Sequence, residues 1–183
     1  MKKLLLLCVA GICLYACNDN ATDTAATDTA KDTTHPATPP IDFPYKASYS
    51  SDFEMGDPSH AKIVLDVWKD FDNNTLDNAK NSFADTVTMQ LADGSVMSGP
   101  RDSIIAGIKG YRAQFSALTS SIDAFVALKS KDKNTNWVNV WGKEVRTDLK
   151  GKKDSSQLAE SWMLNDQNKI AFMLQYAAKT WPE

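Results

Sequence analysis

The second half of the chain limits the possible folds most. From Ser120 to Ala178 the sequence reads as β structure alone. Ser121–Ser130 alternates loosely. Asn136–Thr147 is long and holds Trp137, Val138, Val140, Trp141 and Val145. A Lys150-Gly151 turn leads to Ser155–Leu164, and the turn Asn165–Asn168 leads to Lys169–Ala178. Long consecutive strands joined by such short turns fold back on one another as an antiparallel meander. Helical periodicity is confined to the part upstream. Helices first and strands after can bury both apolar surfaces if the sheet bends around the helices. The expectation is an α+β fold, a strongly curved antiparallel sheet packed on three N-terminal helices.

The helices have their own signals. Asp57 and Pro58 are an N-cap acid followed by Pro at the first helical position. Ala61, Val64, Leu65, Trp68 and Phe71 follow at helical spacing, and Asp72-Asn73-Asn74 stops the run. Thr75 is read as the cap of a shorter helix with Leu76, Ala79 and Phe83 on one face. After Asp85 the period becomes two, with Val87, Met89 and Leu91 alternating with Thr88, Gln90 and Ala92. Asp93-Gly94 is a strong hairpin signal. Ser95–Ser98 returns, Gly99 breaks the strand and Pro100 starts a third helix with Ile104, Ile105, Ile108, Tyr111 and Phe115 as its stripe. Gly107 and Gly110 are costly in a helix, and close approach to a sheet is the packing reason for them.

The N-terminus is a targeting segment. Lys2 and Lys3 precede a short apolar run, LLLLCVAGICLYA, and then Cys17. Leu14-Tyr15-Ala16-Cys17 resembles a bacterial lipobox, which implies a lipid on Cys17 and a membrane anchor rather than a span. All three cysteines, Cys8, Cys13 and Cys17, lie here, so the folded part has no disulfide and no thiolate metal site. Residues 1–16 are read as the signal, 17–40 as a Thr/Asp/Ala/Pro tether, 41–57 as an extended aromatic segment lying against the domain, and 58–183 as the domain itself. The tether lacks large apolar residues and cannot offset the entropy of ordering. Its Asp23-Thr24-Ala25, Asp28-Thr29-Ala30 and Asp32-Thr33-Thr34 resemble bacterial O-glycosylation acceptors, and plain composition explains them equally. Asn18 is not a strong inner-membrane retention signal, so the expected location is the cell envelope, lipid-anchored on the periplasmic side or at the outer membrane. The chain carries 20 basic and 23 acidic residues, a net charge of −3 that becomes more negative once Lys2 and Lys3 leave. This balance argues against a nucleic-acid partner.

FADTVTMQLADGSVMSGPRDSI (83–104), NWVNVWGKE (136–144) and ESWMLNDQNKIAFMLQYA (160–177) resemble the nuclear-transport-factor-2-like superfamily, in particular its polyketide-cyclase-like (SnoaL-like) branch. The likeness covers about residues 58–180. It implies a cone in which a curved antiparallel sheet encloses a pocket closed by helices, and a homodimer through the outer sheet face. It does not fix function, because such folds host enzymes and binding proteins alike. The three acid and hydroxyl positions of a ketosteroid isomerase fall at Gln90, Val67 and Gln157, none of which can do that chemistry. Asp66 is the only Asp or Tyr adjacent to any of them.

Histidine is scarce. His35 lies in the tether, and His60 in the first turn of the first helix is read as exposed or capping. A Ser-His-Asp arrangement, a zinc cluster and a phosphate loop all lack their residues, so neither a metal nor another cofactor is expected. Glu160 shares a strand face with Leu158, Trp162 and Leu164. Facing inward it is a general-base candidate with a raised pKa. Facing outward, or at the rim, it is a surface acid. Glu144 and Asp123 are weaker candidates of the same kind. Trp137, Asn139 and Trp141 oppose Val138 and Val140 in parity, and alternation leaves open which row faces in. The leading expectation is a lipid-anchored domain that binds a small apolar molecule or a partner without an intact catalytic set. Its pocket would be lined by Trp68, Gln90, Tyr111, Phe115, Glu160 and Trp162. The alternatives are an acid/base enzyme working through Glu160 and a purely structural dimer module.

Overall fold

The structure, a computed structural model, describes residues 41–179. The signal, the lipidation candidate Cys17, the tether with its Asp-Thr motifs and His35 lie outside the described residues. The chain divides into two units, Met1–Phe43 and Pro44–Glu183. Of the first, only residues 41–43 are described, and Ile41 and Phe43 are exposed. Every described helix and strand belongs to the second.

Helix α1 spans Pro58–Asn73. The Asp57 carboxylate accepts from the Ser59 backbone N–H at 2.8 Å, which satisfies one of the free donors of the first turn. The helix ends at Asn74 in the left-handed region, φ 59°, a conformation Asn tolerates better than most residues. The Thr75 hydroxyl turns back to the Asp70 carboxylate at 2.7 Å instead of capping a new helix. The second expected helix is accordingly a 3-10 turn, Asn78–Ser82. Helix α2 spans Arg101–Arg112. It stops before Phe115 because the buried Arg112 guanidinium donates to the carbonyls of Phe71, Asp72 and Phe115 at 2.9, 3.0 and 2.8 Å. These bonds tie the end of α1 to the start of the next strand.

Seven strands occur along the chain: β1 (Phe53–Met55), β2 (Phe83–Gln90), β3 (Val96–Pro100), β4 (Phe115–Ser130), β5 (Thr135–Asp148), β6 (Lys153–Leu164) and β7 (Ile170–Lys179). They form one sheet, ordered β1-β4-β5-β6-β7-β2-β3. The meander is antiparallel, while β2 and β7 pair in parallel, so the sheet is mixed. Strand β3 runs through Gly99 to Pro100, which sits on the sheet edge, where a missing N–H costs little.

The register decides which face is the core. Val138 pairs with Trp162, Val140 with Glu160, Gly142 with Leu158 and Glu144 with Ser156. Val138, Val140, Glu144, Leu158, Glu160 and Trp162 are all buried. The apolar members of this row meet Val64, Val67 and Trp68 of α1 and Ile104 and Ile105 of α2. The opposite row faces out. Trp137 packs edge-on against Tyr49 and Phe172, at 5.6 and 6.2 Å between ring centroids, and Trp141 is exposed. His60 is buried rather than exposed. Its Nε2 lies 3.0 Å from Asn168 Oδ1 and ties the first turn of α1 to the β6–β7 turn.

Candidate functional site

Between α1, α2 and the concave sheet face lies a cavity of about 310 Å³. Its walls are mostly apolar, from Val67, Trp68 and Phe71 of α1, Ile108 of α2, and Met89, Leu158, Trp162 and Met173 of the strands. Gly142 makes the close approach of α1 possible. A methyl group there would meet Ser121 O at 2.5 Å and the Trp68 ring at 3.3 Å. Gly107 plays a similar part at the rim, where a Cβ would lie 2.4 Å from the end of the Met97 side chain, whereas Gly110 faces open space.

Below the apolar wall Glu160 is enclosed. Its Oε2 accepts from the indole N–H of Trp68 at 2.7 Å and of Trp162 at 2.9 Å, and its Oε1 accepts from the Gln175 amide at 2.8 Å. An indole nitrogen can only donate, so the two tryptophans need this carboxyl as much as it needs them. Burial raises the Glu160 pKa, and the bonds from Gln175, Trp68 and Trp162 oppose the rise. Glu160 itself does not line the cavity, while Trp68, Trp162 and Gln175 do.

At the other end the lining is polar. Glu144, Arg146, Tyr111, Ser120 and Ser156 converge there. Glu144 Oε1 lies 3.5 Å from Arg146 Nη1. The guanidinium also donates to the Tyr111 hydroxyl at 3.0 Å, to Ser156 Oγ at 2.8 Å and to the Asp154 carboxylate at 3.1 Å. Burial pushes the Glu144 carboxyl up to about 7. Arg146 and Arg112 hold it down, and Glu160 and Asp72 push it further up. The cavity is thus bordered by an acid that changes charge near neutrality.

The six residues expected at the pocket separate in space. Trp68, Tyr111 and Trp162 line the cavity. Glu160 lies beneath it. Phe115 stands behind the lining, edge-on to Tyr111 at 5.2 Å and under the Arg146 guanidinium at 5.9 Å. Gln90, at the end of β2, is exposed and outside the lining, on the face opposite Met89. Asp123 and Gln157 bond to each other on the exposed side of the sheet. Sequence reasoning misses Arg146 and Ser156. Parity is the available signal, since Arg146 falls in the row of Val138, Val140 and Glu144. Among the described residues no group of three or more His, Cys, Asp or Glu could hold a metal, and no helix is long and apolar enough to cross a membrane.

Solved structures share this architecture. AusH from Aspergillus nidulans is 10% identical, with a TM-score of 0.54, over 71% of this chain and 90% of that one. An NTF2-like protein from Burkholderia pseudomallei is 15% identical, with a TM-score of 0.53, over 65% and 90%. An LEH-like epoxide hydrolase from M. tuberculosis is 9% identical, with a TM-score of 0.54, over 65% and 82%. The chain has the nuclear-transport-factor-2-like fold. No family model and no curated protein sequence matches it. In this fold the helices and the concave sheet face bound the cavity, so the fold itself brings Tyr111 of α2 over Arg146 of β5.

Proposed function

We propose that the NTF2-like domain binds a small, mostly apolar molecule in its cavity, with one polar group of that molecule at the Glu144–Arg146–Tyr111 end. The observation behind this reading is the shape of the chemistry. A space of about 310 Å³ has mostly apolar walls and a polar group made by Glu144, Arg146 and Tyr111 in its lining, the pattern of a site that takes an apolar body and orients it by a few polar contacts. The direct test is native mass spectrometry of the full-length mature protein, purified gently from its own host. The expected result is a small-molecule adduct that Leu158→Trp, which fills the cavity, removes. A bare protein in both cases would contradict the reading.

A second reading has its own observation. Glu144, pushed up to about 7 and set at the cavity wall, has the proton affinity of a general acid or base. This replaces Glu160 as the acid of choice, because Glu160 is held by three donors and does not line the cavity. Turnover of a bound compound that Glu144→Gln abolishes, with binding retained, would establish catalysis.

The anchor is proposed on the lipobox-like sequence alone. Cys17 carries the lipid, the domain sits in the cell envelope, and two copies pair through the outer sheet face, where Trp141 and Tyr176 are exposed. Intact mass of the native protein tests the lipid, and sedimentation tests the pairing.

A further inference from the structure

The hydrogen-bond directions at the polar end restrict the ligand more than the cavity shape does. A guanidinium has donors only. When Arg146 meets the Tyr111 hydroxyl and Ser156 Oγ, at 3.0 and 2.8 Å, both oxygens must act as acceptors. Each hydroxyl then has its own proton left to give. Among the described residues no acceptor takes either proton, and both residues line the cavity. Charge-assisted bonds of this kind polarise the hydroxyls and make them better donors. One cation therefore sets two O–H groups as a pair on the cavity wall.

The charges nearby select among acceptors. Arg146 is flanked by Glu144 at 3.5 Å and Asp154 at 3.1 Å, and Asp93 also borders the cavity. Its single positive charge is already matched. An anionic ligand would face these carboxylates with no cation to itself, whereas a neutral acceptor meets only the two hydroxyl protons.

We infer that Tyr111 and Ser156 form an acceptor-binding subsite, oriented by Arg146, for the neutral carbonyl oxygen of an otherwise apolar ligand, a ketone, ester or lactone. This rests on the proposed binding role of the cavity and specifies its ligand class. Phe115 holds the arrangement from behind, through its contacts with Tyr111 and Arg146.

Three probes of one shape test it by isothermal titration calorimetry on the full-length mature protein. They are 2-acetylnaphthalene, 2-ethylnaphthalene and 2-naphthoate, which present a carbonyl, no oxygen and a carboxylate. The ketone should bind about tenfold more tightly than the hydrocarbon, the effect of one to two well-made hydrogen bonds, and more tightly than the carboxylate. Ser156→Ala and Tyr111→Phe should each weaken the ketone several-fold and leave the hydrocarbon unchanged. Tyr111→Phe keeps the ring that stacks on Phe71, and Ser156→Ala serves as an independent second variant. Equal binding of ketone and hydrocarbon, or equal losses for both in the variants, would overturn the subsite and leave the binding role standing. Tightest binding by the carboxylate would overturn the choice of a neutral ligand. Binding of none of the three would overturn the subsite. The binding role would then fail separately only if the host-purified protein also carries no adduct.

Discussion

Glu160 and Glu144 lie on adjacent strands of the same concave face, and each is only 6% exposed. Their surroundings differ completely. Glu160 receives three N–H donors and no open space. Glu144 has one cation at 3.5 Å and borders a cavity. Equal burial thus produces two kinds of acid. The first is a cross-link that fixes Trp68 and Trp162 as the wall of the cavity. The second has unused hydrogen-bonding capacity where a ligand would sit. Satisfaction of the polar atoms, more than exposure, separates structure from function here.

The largest effect expected from this contrast is at Glu160. Glu160→Ala would strand two indole donors and an amide, at about 1–3 kcal/mol for each group that water cannot reach. A loss of at least about 3 kcal/mol by urea denaturation is expected. A loss under about 1 kcal/mol would mean that the wall does not depend on this carboxyl.

Next comes the pH dependence at Glu144. Its folded-state pKa, about 7, lies above the ordinary 4.5. The folded state therefore holds the proton more tightly than the unfolded state. As far as this group is concerned, stability is greatest below pH 4.5 and declines as pH rises towards 7. The size is on the order of 3 kcal/mol, with burial as its main cause, Arg146 and Arg112 opposing it and Glu160 and Asp72 adding to it. Glu160, also raised, acts in the same direction. Surface acids such as Asp57 and Asp93, which are lowered by bonds from Ser59 and Ser95, act only at the acid end. Glu144→Gln should flatten a large part of the decline between pH 4.5 and 7. An unchanged slope would show that Glu144 titrates as an ordinary surface acid.

Gly142→Ala should cost about 1–3 kcal/mol, the usual range for overpacking, because the added carbon meets backbone at Ser121 and the Trp68 ring. It should also alter the near-UV signal of the indoles. Gly110→Ala is the control. It meets nothing within 4 Å on α2 and should stabilise by up to about 1 kcal/mol. Glu160→Gln is the mildest change at the floor. One oxygen still accepts from both indoles, and the Gln175 amide can turn to receive the new N–H, so a change of about 1 kcal/mol or less is expected.

The sheet is legible in the sequence because alternation over long strands is a strong physical signal, and the turns at Asp93-Gly94 and Lys150-Gly151 fall where chemistry requires them. Trp68 is legible on the apolar stripe of its helix, and Trp162 is legible as sharing a face with Leu158, Glu160 and Leu164, while alternation alone leaves open that this face points inward. Family matching puts Gln90 in the pocket, although its parity already opposes it to Val87 and Met89. Phe115 reads as helix because nothing local shows that Arg112 will bind carbonyls of Phe71 and Asp72, about forty residues away. Arg146 is hidden because a single Arg in a strand reads as surface. Its burial depends on the register that sets β5 beside β6, a long-range pairing that no local pattern contains.

The central claim is that the polar end meets the ligand and the floor does not. Carboxyl carbon-13 NMR of glutamate-labelled protein, recorded through a pH titration with and without 2-acetylnaphthalene, tests it most directly. The account predicts that the Glu144 resonance titrates near pH 7 and moves on adding the ketone, while the Glu160 resonance does not move on adding the ketone. A ketone-dependent shift at Glu160 with none at Glu144 would contradict it.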